Sequence, residues 1–216
     1  MRAGTLPALL CLAMMSASPA RGDSRSPLPG RTYTWTFAAD TLGQPPAFSR
    51  VASGQWAVVE DSSQTGPRVL RQSESDDGIG SHTLQFLKPR VADQRLEVRY
   101  RIRSGDIDPS VGIGFQLDAK GRNGYLVRVS GRNGELIAHY LLNGKRRDLK
   151  MVAIEPPRAD EWHTLGVRRA GERLEVLYDG AVKMKIRDER FGVGNVGLWT
   201  GDDTVADFSG LAVTTL

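Results

Sequence analysis

Apolar and polar side chains alternate along much of the chain after residue 30, and this period of two is typical of β-strands with one buried face. In the segment 95–103 (RLEVRYRIR), one face carries four arginines, Arg95, Arg99, Arg101 and Arg103, together with Glu97. The other face carries Leu96, Val98, Tyr100 and Ile102. A helix cannot sort these residues in this way, because its side chains repeat every 3.6 residues. The segment 111–117 (VGIGFQL) shows the same alternation, so both segments predict strands that face a core.

Asn-Gly or Asp-Gly dipeptides occur at 123–124, 133–134, 143–144 and 179–180, and such dipeptides favour two-residue hairpins. Together with the alternation they predict fourteen short strands. The predicted strands are 32–37, 55–60, 68–71, 83–87, 95–103, 111–117, 124–130, 135–142, 145–152, 162–167, 173–178, 181–187, 193–200 and 205–213. Many short strands without a helical pattern indicate an all-β sandwich or barrel.

The N-terminal segment has the features of a removable export signal. Arg2 supplies a positive charge, residues 6–15 (LPALLCLAMM) form a short apolar run, and Ser18-Pro19-Ala20 offers small residues for cleavage. The apolar run is too short to cross a bilayer, which takes about 20 residues. We therefore predict a signal peptide over 1–20 with cleavage near Ala20, a polar leader over 21–30, and one domain over 31–216.

The composition restricts the remaining classes. The chain has 216 residues, 40% hydrophobic and 25% charged, which is ordinary for a globular protein. Its net charge of +4 comes from interspersed basic and acidic residues, without the clustered basic face of nucleic-acid-binding proteins. Cys11, the single cysteine, lies in the signal segment, so the mature chain would contain no disulfide. We predict a periplasmic or extracellular protein with no nucleic-acid partner and no integral membrane association.

Several segments of the chain resemble the concanavalin A-like lectin/glucanase jelly roll. They are 40–46 (DTLGQPP), 54–61 (GQWAVVED), 112–129 (GIGFQLDAKGRNGYLVRV), 160–167 (DEWHTLGV) and 194–200 (GNVGLWT). The resemblance covers nearly all of the mature chain and is closest to secreted bacterial domains near the 3-keto-disaccharide hydrolase and laminin G-like families. It implies a single antiparallel two-sheet jelly-roll sandwich, in which the concave face of one curved sheet can hold a sugar chain.

No catalytic motif accompanies this resemblance. The glucanases of the fold carry a Glu-x-Asp-x-x-Glu strand, which this sequence lacks. Glycoside hydrolysis normally needs two carboxyl groups about 5–9.5 Å apart. Asp106 and Asp108 lie in a predicted loop, as do Glu74 and Asp76, and loop carboxylates are usually solvated. Glu97 is flanked by arginines, which favour its charged form and make it a poor general acid. We assign no catalytic residue, and whether the chain is an enzyme stays open.

Five polar side chains form the candidate ligand site. If the alternation continues from strand to strand, one surface of the curved sheet carries Arg99, Arg101, Gln116, Arg128 and His139. Such planar groups can hydrogen-bond sugar hydroxyls, and arginine also suits the carboxylates of uronic acids. Candidate aromatic platforms for a sugar are Tyr125, Tyr140, Trp162 and Trp199. The alternative is a solvated sheet face whose charges oppose aggregation.

The sequence requires no cofactor, but it allows a structural calcium ion. Calcium prefers several oxygen ligands, and the terminal strands of this fold usually pair, which would bring Asp40 and Asp207 together. The resemblance places an acidic residue where this chain has Ala38 or Ala39, which weakens the match. Of the histidines, His163 is predicted to face the core and His82 to lie in a solvated turn.

These observations favour an exported, non-catalytic, lectin-like domain that binds a polysaccharide or oligosaccharide. Two alternatives from other classes stay open: a glycoside hydrolase or lyase related to the 3-keto-disaccharide hydrolases, and an envelope scaffold or protein-interaction domain. The sequence does not distinguish between oligomeric states.

Overall fold

The structure is a computed structural model that describes residue 1 and residues 28–61, 68–75 and 80–216. Apart from residue 1, the predicted signal segment 1–20 and nearly all of the leader lie outside the described residues. The described residues form fifteen strands and no helix, which confirms the all-β prediction. This part of the chain accordingly contains no apolar helix long enough to cross a membrane.

The strands are β1 (Thr32–Trp35), β2 (Ser49–Ser53), β3 (Trp56–Glu60), β4 (Arg68–Gln72), β5 (Ser81–Val91), β6 (Gln94–Ser104), β7 (Ser110–Leu117), β8 (Gly124–Ser130), β9 (Glu135–Leu142), β10 (Lys145–Ala153), β11 (His163–Ala170), β12 (Arg173–Tyr178), β13 (Ala181–Arg187), β14 (Gly194–Gly201) and β15 (Val205–Thr215). Sheet A has eight strands in the order β13-β12-β11-β6-β15-β4-β3, with β1 also paired to β15. Sheet B has seven strands in the order β10-β9-β8-β7-β14-β5-β2.

The core lies between the two sheets and is built from the apolar positions of the alternating strands. The β6 side chains Leu96, Val98, Tyr100 and Ile102 are all buried, as predicted. From sheet B, Val111, Ile113 and Phe115 of β7 belong to the same buried cluster. Two layers of antiparallel sheet over one core form a sandwich, which confirms the predicted architecture.

The chain passes from sheet A to sheet B between β6 and β7. This crossover matters for function because the core side of β6 faces the core side of β7, so the outer faces of the two strands point in opposite directions. Polar residues that continue an alternating pattern from β6 into β7 therefore lie on opposite surfaces of the molecule.

Two of the four predicted hairpins are two-residue turns. Asn143-Gly144 joins β9 to β10 and Asp179-Gly180 joins β12 to β13, and all four residues have positive φ. The dipeptides at 123–124 and 133–134 lie instead in or beside longer connections around β8. The β9–β10 turn fixes the register of the edge strand β10, which places Arg146 opposite Leu141.

Candidate functional site

A cleft of about 370 Å³ opens on the outer face of sheet B. Its walls and floor include Leu126 of β8, Leu141 of β9, Arg146 of β10 and Trp199 of β14, and Ser81 and Thr83 of β5 lie at one side. We call this region the sheet B cleft. Its combination of apolar floor and a few polar groups is typical of small-molecule sites.

Two glycines make room for a leucine that lines the cleft. Gly114 of β7 and Gly197 of β14 are cross-strand neighbours in the centre of the sheet, and both line the cleft. A Cβ atom at Gly197 would lie 2.9 Å from the Leu84 carbonyl oxygen, so even an alanine would crowd the backbone there. A Cβ atom would also lie 2.8 Å from Leu117 Cδ1 at Gly114 and 3.2 Å from it at Gly197, so the two glycines make room for Leu117, which lines the cleft.

Arg146 and Trp199 meet across the cleft from strands that are four positions apart in sheet B. The Arg146 guanidinium lies 5.3 Å from the centre of the Trp199 ring, within the range of a cation–π contact. Trp199 is only 7% exposed, so its ring forms an inner wall of the cleft and supports the arginine. Partial burial and the nearby charge of Arg128 lower the pKa of Arg146, although it stays protonated at neutral pH.

Arg128 of β8 belongs to a hydrogen-bonded cluster beside the cleft. Its Nη1 donates to Asp108 Oδ2 and to Ser110 Oγ, each at 3.0 Å, and Ser130 Oγ donates to Asp108 Oδ1 at 2.6 Å. Burial raises the pKa of Asp108, but hydrogen bonds from Ser130 and Arg128 outweigh it and lower the pKa below its usual value. Asp108 is therefore an ionised partner of Arg128 and is unsuited to act as a general acid.

His139 of β9 lies on the same outer face and is only 4% exposed. Its Nδ1 lies 2.8 Å from Asp148 Oδ1 of β10. Because an ionised carboxylate only accepts hydrogen bonds, the proton of the neutral ring sits on Nδ1. Burial, opposed by the hydrogen bond with Asp148, lowers the pKa of His139 to about 4. Nε2 is then an acceptor, and it has no hydrogen-bond partner among the described residues.

Arg99 and Arg101 do not join this surface, because β6 belongs to sheet A. Their guanidinium groups lie 5.1 Å and 4.9 Å from the Trp162 ring, on the outer face of that sheet. Arg101 also forms ion pairs of 2.8 Å with Asp61 and with Asp207. The single predicted surface is therefore divided between two sheets, and only Arg128 and His139 lie beside the cleft.

Gln116 is placed at the end of β7, away from the cleft centre. Its φ of 50° accompanies a register shift between β7 and β14, so the alternation of the strand is interrupted at this residue. The side-chain Nε2 donates to the Ala92 carbonyl at 3.0 Å, and the residue is 4% exposed. Gln116 thus caps the β5–β6 turn, and its Oε1 is buried without a partner among the described residues.

Asp40 and Asp207 lie in different surroundings. Asp40 Oδ1 accepts a hydrogen bond from the Ala47 amide, whereas Asp207 is fully buried and accepts from both Arg71 and Arg101. Two guanidinium groups compensate the Asp207 charge and repel a cation, so this carboxylate is a poor calcium ligand. Within the described ranges, no group of three or more His, Cys, Asp or Glu side chains could hold a metal ion.

The other two histidines, His163 and His82, are packed against neighbouring residues of the fold. His163 packs between Tyr100 and Tyr178, with ring centres 5.9 Å and 5.5 Å away, in agreement with the predicted core orientation. His82 is 2% exposed in β5, and its Nε2 lies 3.1 Å from the Asp202 carbonyl oxygen. The prediction of a solvated turn at His82 is wrong, because β5 begins two residues earlier than the alternation indicates.

Sequence reasoning missed Arg146 and Asp148. Both lie in the polar run KRRD, in which no hydrophobic periodicity marks a face. The signal that identifies their orientation is the Asn143-Gly144 turn, since a two-residue hairpin pairs residue 145 with 142 and therefore 146 with 141.

Solved structures similar to this chain share its architecture. The carbohydrate-binding module CBM66 from Bacillus subtilis has a TM-score of 0.65 and 19% identity, over 76% of this chain and 93% of the module. The VIP36 exoplasmic/lumenal domain, with Ca2+ and Man3GlcNAc bound, has a TM-score of 0.59 and 12% identity, over 78% of this chain and 84% of that one. A Bacillus licheniformis β-glucanase has a TM-score of 0.60 and 15% identity, over 87% and 99%.

No protein-family model matches the sequence, and no curated protein shows significant similarity to it. At identities below 20%, the similar structures report on the fold and do not transfer an activity. They agree with the resemblance found in the sequence: the chain has the concanavalin A-like jelly-roll fold.

Proposed function

We propose that this protein is an exported, non-catalytic glycan-binding domain whose ligand occupies the sheet B cleft. The observation that carries the proposal is the cleft itself, where apolar Leu126 and Leu141 lie beside the hydroxyls of Ser81 and Thr83 and the guanidinium of Arg146. A sugar ring presents an apolar C–H face and a polar edge of hydroxyls, and this site offers partners for both. The similar structures include a carbohydrate-binding module and a lectin domain with a bound mannose-containing glycan.

The lack of acidic side chains in the floor supports the non-catalytic part of the proposal. The strands β7, β8 and β14 contain no Asp or Glu. Asp108, from the β6–β7 connection beside the cleft, is ionised and paired with Arg128. A glycosidase normally needs one carboxyl group with a raised pKa as its general acid, together with a second carboxylate.

The proposal is tested by blocking the cleft. The chain from Arg21 is screened against immobilised neutral and acidic oligosaccharides, and the affinity of each ligand found is measured by isothermal titration calorimetry. Leu141→Trp fills the cleft with an indole and is expected to weaken binding by at least about tenfold, because the ligand then loses its apolar contact area.

Leu142→Trp is the matched control. Leu142 is the next residue of β9, its side chain is 50% exposed, and it does not line the cleft. It should leave both the affinity and the melting temperature unchanged. Equal affinities of the two variants would contradict the assignment of the cleft, and a screen without any ligand would contradict glycan binding. Release of reducing ends during the titration would favour the hydrolase alternative.

A structural calcium ion is proposed separately from the glycan site. Because the VIP36 domain is similar in fold and was solved with Ca2+, the titration is repeated with calcium and with a chelator. Calcium-dependent binding with an unchanged affinity in Asp40→Asn would show that the ion lies elsewhere than at Asp40.

A further inference from the structure

Arg146 is the one charged residue among the described residues that line the sheet B cleft. Resting on the proposed glycan-binding function, we propose that the sheet B cleft selects sugars that carry a carboxylate, and that Arg146 binds this carboxylate.

Arg146 differs from the other arginine beside the cleft in its partners. Arg128 is neutralised by an ion pair with Asp108 at 3.0 Å. Arg146 forms no ion pair and no side-chain hydrogen bond with any residue that the structure describes. Its guanidinium instead makes a cation–π contact with the Trp199 ring. Its donors are therefore available to a ligand.

The contact with Trp199 holds the guanidinium in place without using its donors. The guanidinium carbon lies 5.3 Å from the ring centre, and the N–H groups of arginine point outward in the plane of the guanidinium. These N–H groups form the fork that binds a carboxylate through two parallel hydrogen bonds. Trp199 is itself packed into the sheet, at 7% exposure, and supports one side of the exposed guanidinium, whose fork is accessible to an anion.

The electrostatic surroundings of Arg146 also favour an anion. Partial burial and the charge of Arg128 both lower the pKa of Arg146, which means that its positive charge is incompletely compensated. Asp202, Asp148 and Asp108 act in the opposite direction, but none of them is paired with it. His139 is neutral at pH 7 and contributes no charge of its own. A bound carboxylate would supply the missing partner, while a neutral sugar would not.

The test compares ligands that differ only in the carboxylate. Oligogalacturonate, oligomannuronate and hyaluronan tetrasaccharide are each titrated beside their methyl esters, at fixed ionic strength, with the chain from Arg21. At least one acid is expected to bind about tenfold or more tightly than its ester, since a hydrogen bond to a charged group contributes more than one to a neutral group. Arg146→Gln should remove this preference and bring the two affinities together.

Arg147→Gln is the control for net charge. Arg147 lies on the same strand, is exposed, and is in register with Tyr140 on the opposite face. The variant loses the same charge but should keep the preference for the acid. Arg146→Lys keeps the charge without the planar fork, and we expect it to restore only part of the preference.

The outcomes separate this inference from the proposed function. If neutral oligosaccharides or the esters bind as tightly as the acids, and Leu141→Trp still weakens their binding, the carboxylate assignment is overturned while glycan binding stands. If only sulfated oligosaccharides bind, the anion is a sulfate and the carboxylate assignment is wrong. If no oligosaccharide binds at all, both proposals fail.

Discussion

His139 is a buried imidazole that the fold keeps neutral. Burial lowers its pKa to about 4, because the charged form loses solvation, and the charges of Arg128 and Arg146 act in the same direction. Asp148 opposes the shift through its hydrogen bond to Nδ1, but does not reverse it. In the unfolded chain the same imidazole has a pKa of about 6.5. Between pH 4 and pH 6.5 the folded and unfolded chains therefore bind different numbers of protons at His139.

This difference predicts an acid sensitivity of the fold. Between pH 6.5 and pH 4 the unfolded chain is protonated at His139 while the folded chain is not, so acidification favours unfolding. The stability contributed by the neutral imidazole is complete above about pH 6.5, declines as the pH falls, and changes no further below about pH 4. We expect the free energy of unfolding to fall by about 2 to 3 kcal/mol from this residue alone.

The measurement is urea unfolding at pH 7, 6, 5 and 4 for the wild type and for His139→Gln. Carboxylates elsewhere also titrate in this range, but they are the same in both proteins and cancel in the difference. The variant should show the shallower decline with pH. Parallel curves for the two proteins would show that His139 does not titrate differently in the folded and unfolded states.

At the scale of the strands, sheet A is crossed by a buried ladder of charges. Asp207 of β15 lies between Arg71 of β4 and Arg101 of β6, which are its cross-strand neighbours. Arg71 donates to Oδ1 at 2.6 Å and Arg101 to Oδ2 at 2.8 Å, and Asp61 forms a second ion pair with Arg101. The carboxylate is fully buried although it lies on the outer face of its sheet.

Removal of the Asp207 charge should destabilise the sheet strongly. Asp207→Asn is close in shape but leaves two guanidinium groups without their shared anion, and breaking a buried ion pair in this way costs about 3 to 5 kcal/mol. Chemical unfolding at pH 7 measures the loss.

The control is Asp160→Asn, which breaks the 2.7 Å pair of Asp160 with Arg103, where the carboxylate is 59% exposed. That loss should stay below about 1 kcal/mol, and similar losses in both variants would contradict a stabilising role for the ladder.

Strands could be predicted from the sequence where one face is strongly apolar, and were missed or shortened where it is not. The predicted bounds of β6 and β7 agree with the structure within one residue at all four ends, because apolar and polar residues alternate along the whole of both sequences. β2 (Ser49–Ser53) was missed: it is a short edge strand in which Val51 is the only large apolar residue. β5 extends to Val91, four residues beyond the prediction, because Lys88 and Pro89 interrupt the pattern that identifies it.

The candidate site was predictable only in part, since alternation assigns a residue to one face of its strand but does not assign the strand to a sheet. Arg128 and His139 were identified together because β8 and β9 are joined by a short connection within sheet B. Arg99 and Arg101 were grouped with them wrongly, because the passage from β6 to β7 between the sheets leaves no mark in the hydrophobic pattern. The Arg146–Trp199 pair depends on the strand order of the whole sheet, which sequence periodicity does not contain.

At the scale of the whole molecule, the described domain is closed at its start by contacts with its last strand. Thr215 Oγ1 donates to the Leu28 carbonyl at 2.6 Å, and the Gly30 amide donates to the Thr215 carbonyl at 2.8 Å. β1 then pairs along β15, as expected for the terminal strands of this fold. These contacts begin at Leu28, downstream of the proposed cleavage site near Ala20.

We therefore expect export to remove the signal without changing the folded domain. When the full sequence is expressed in a bacterial host, N-terminal sequencing of the exported protein should begin near Arg21, since the small residues Ser18 and Ala20 fit a signal peptidase. Its unfolding midpoint in urea should equal that of a chain produced directly from Arg21, because every described contact of the domain is present in both. A product that retains Met1, or that stays in the cytoplasm, would contradict the export signal. A lower midpoint for the exported chain would instead show that cleavage lies inside the domain, beyond Leu28, where it would remove the contacts with Thr215.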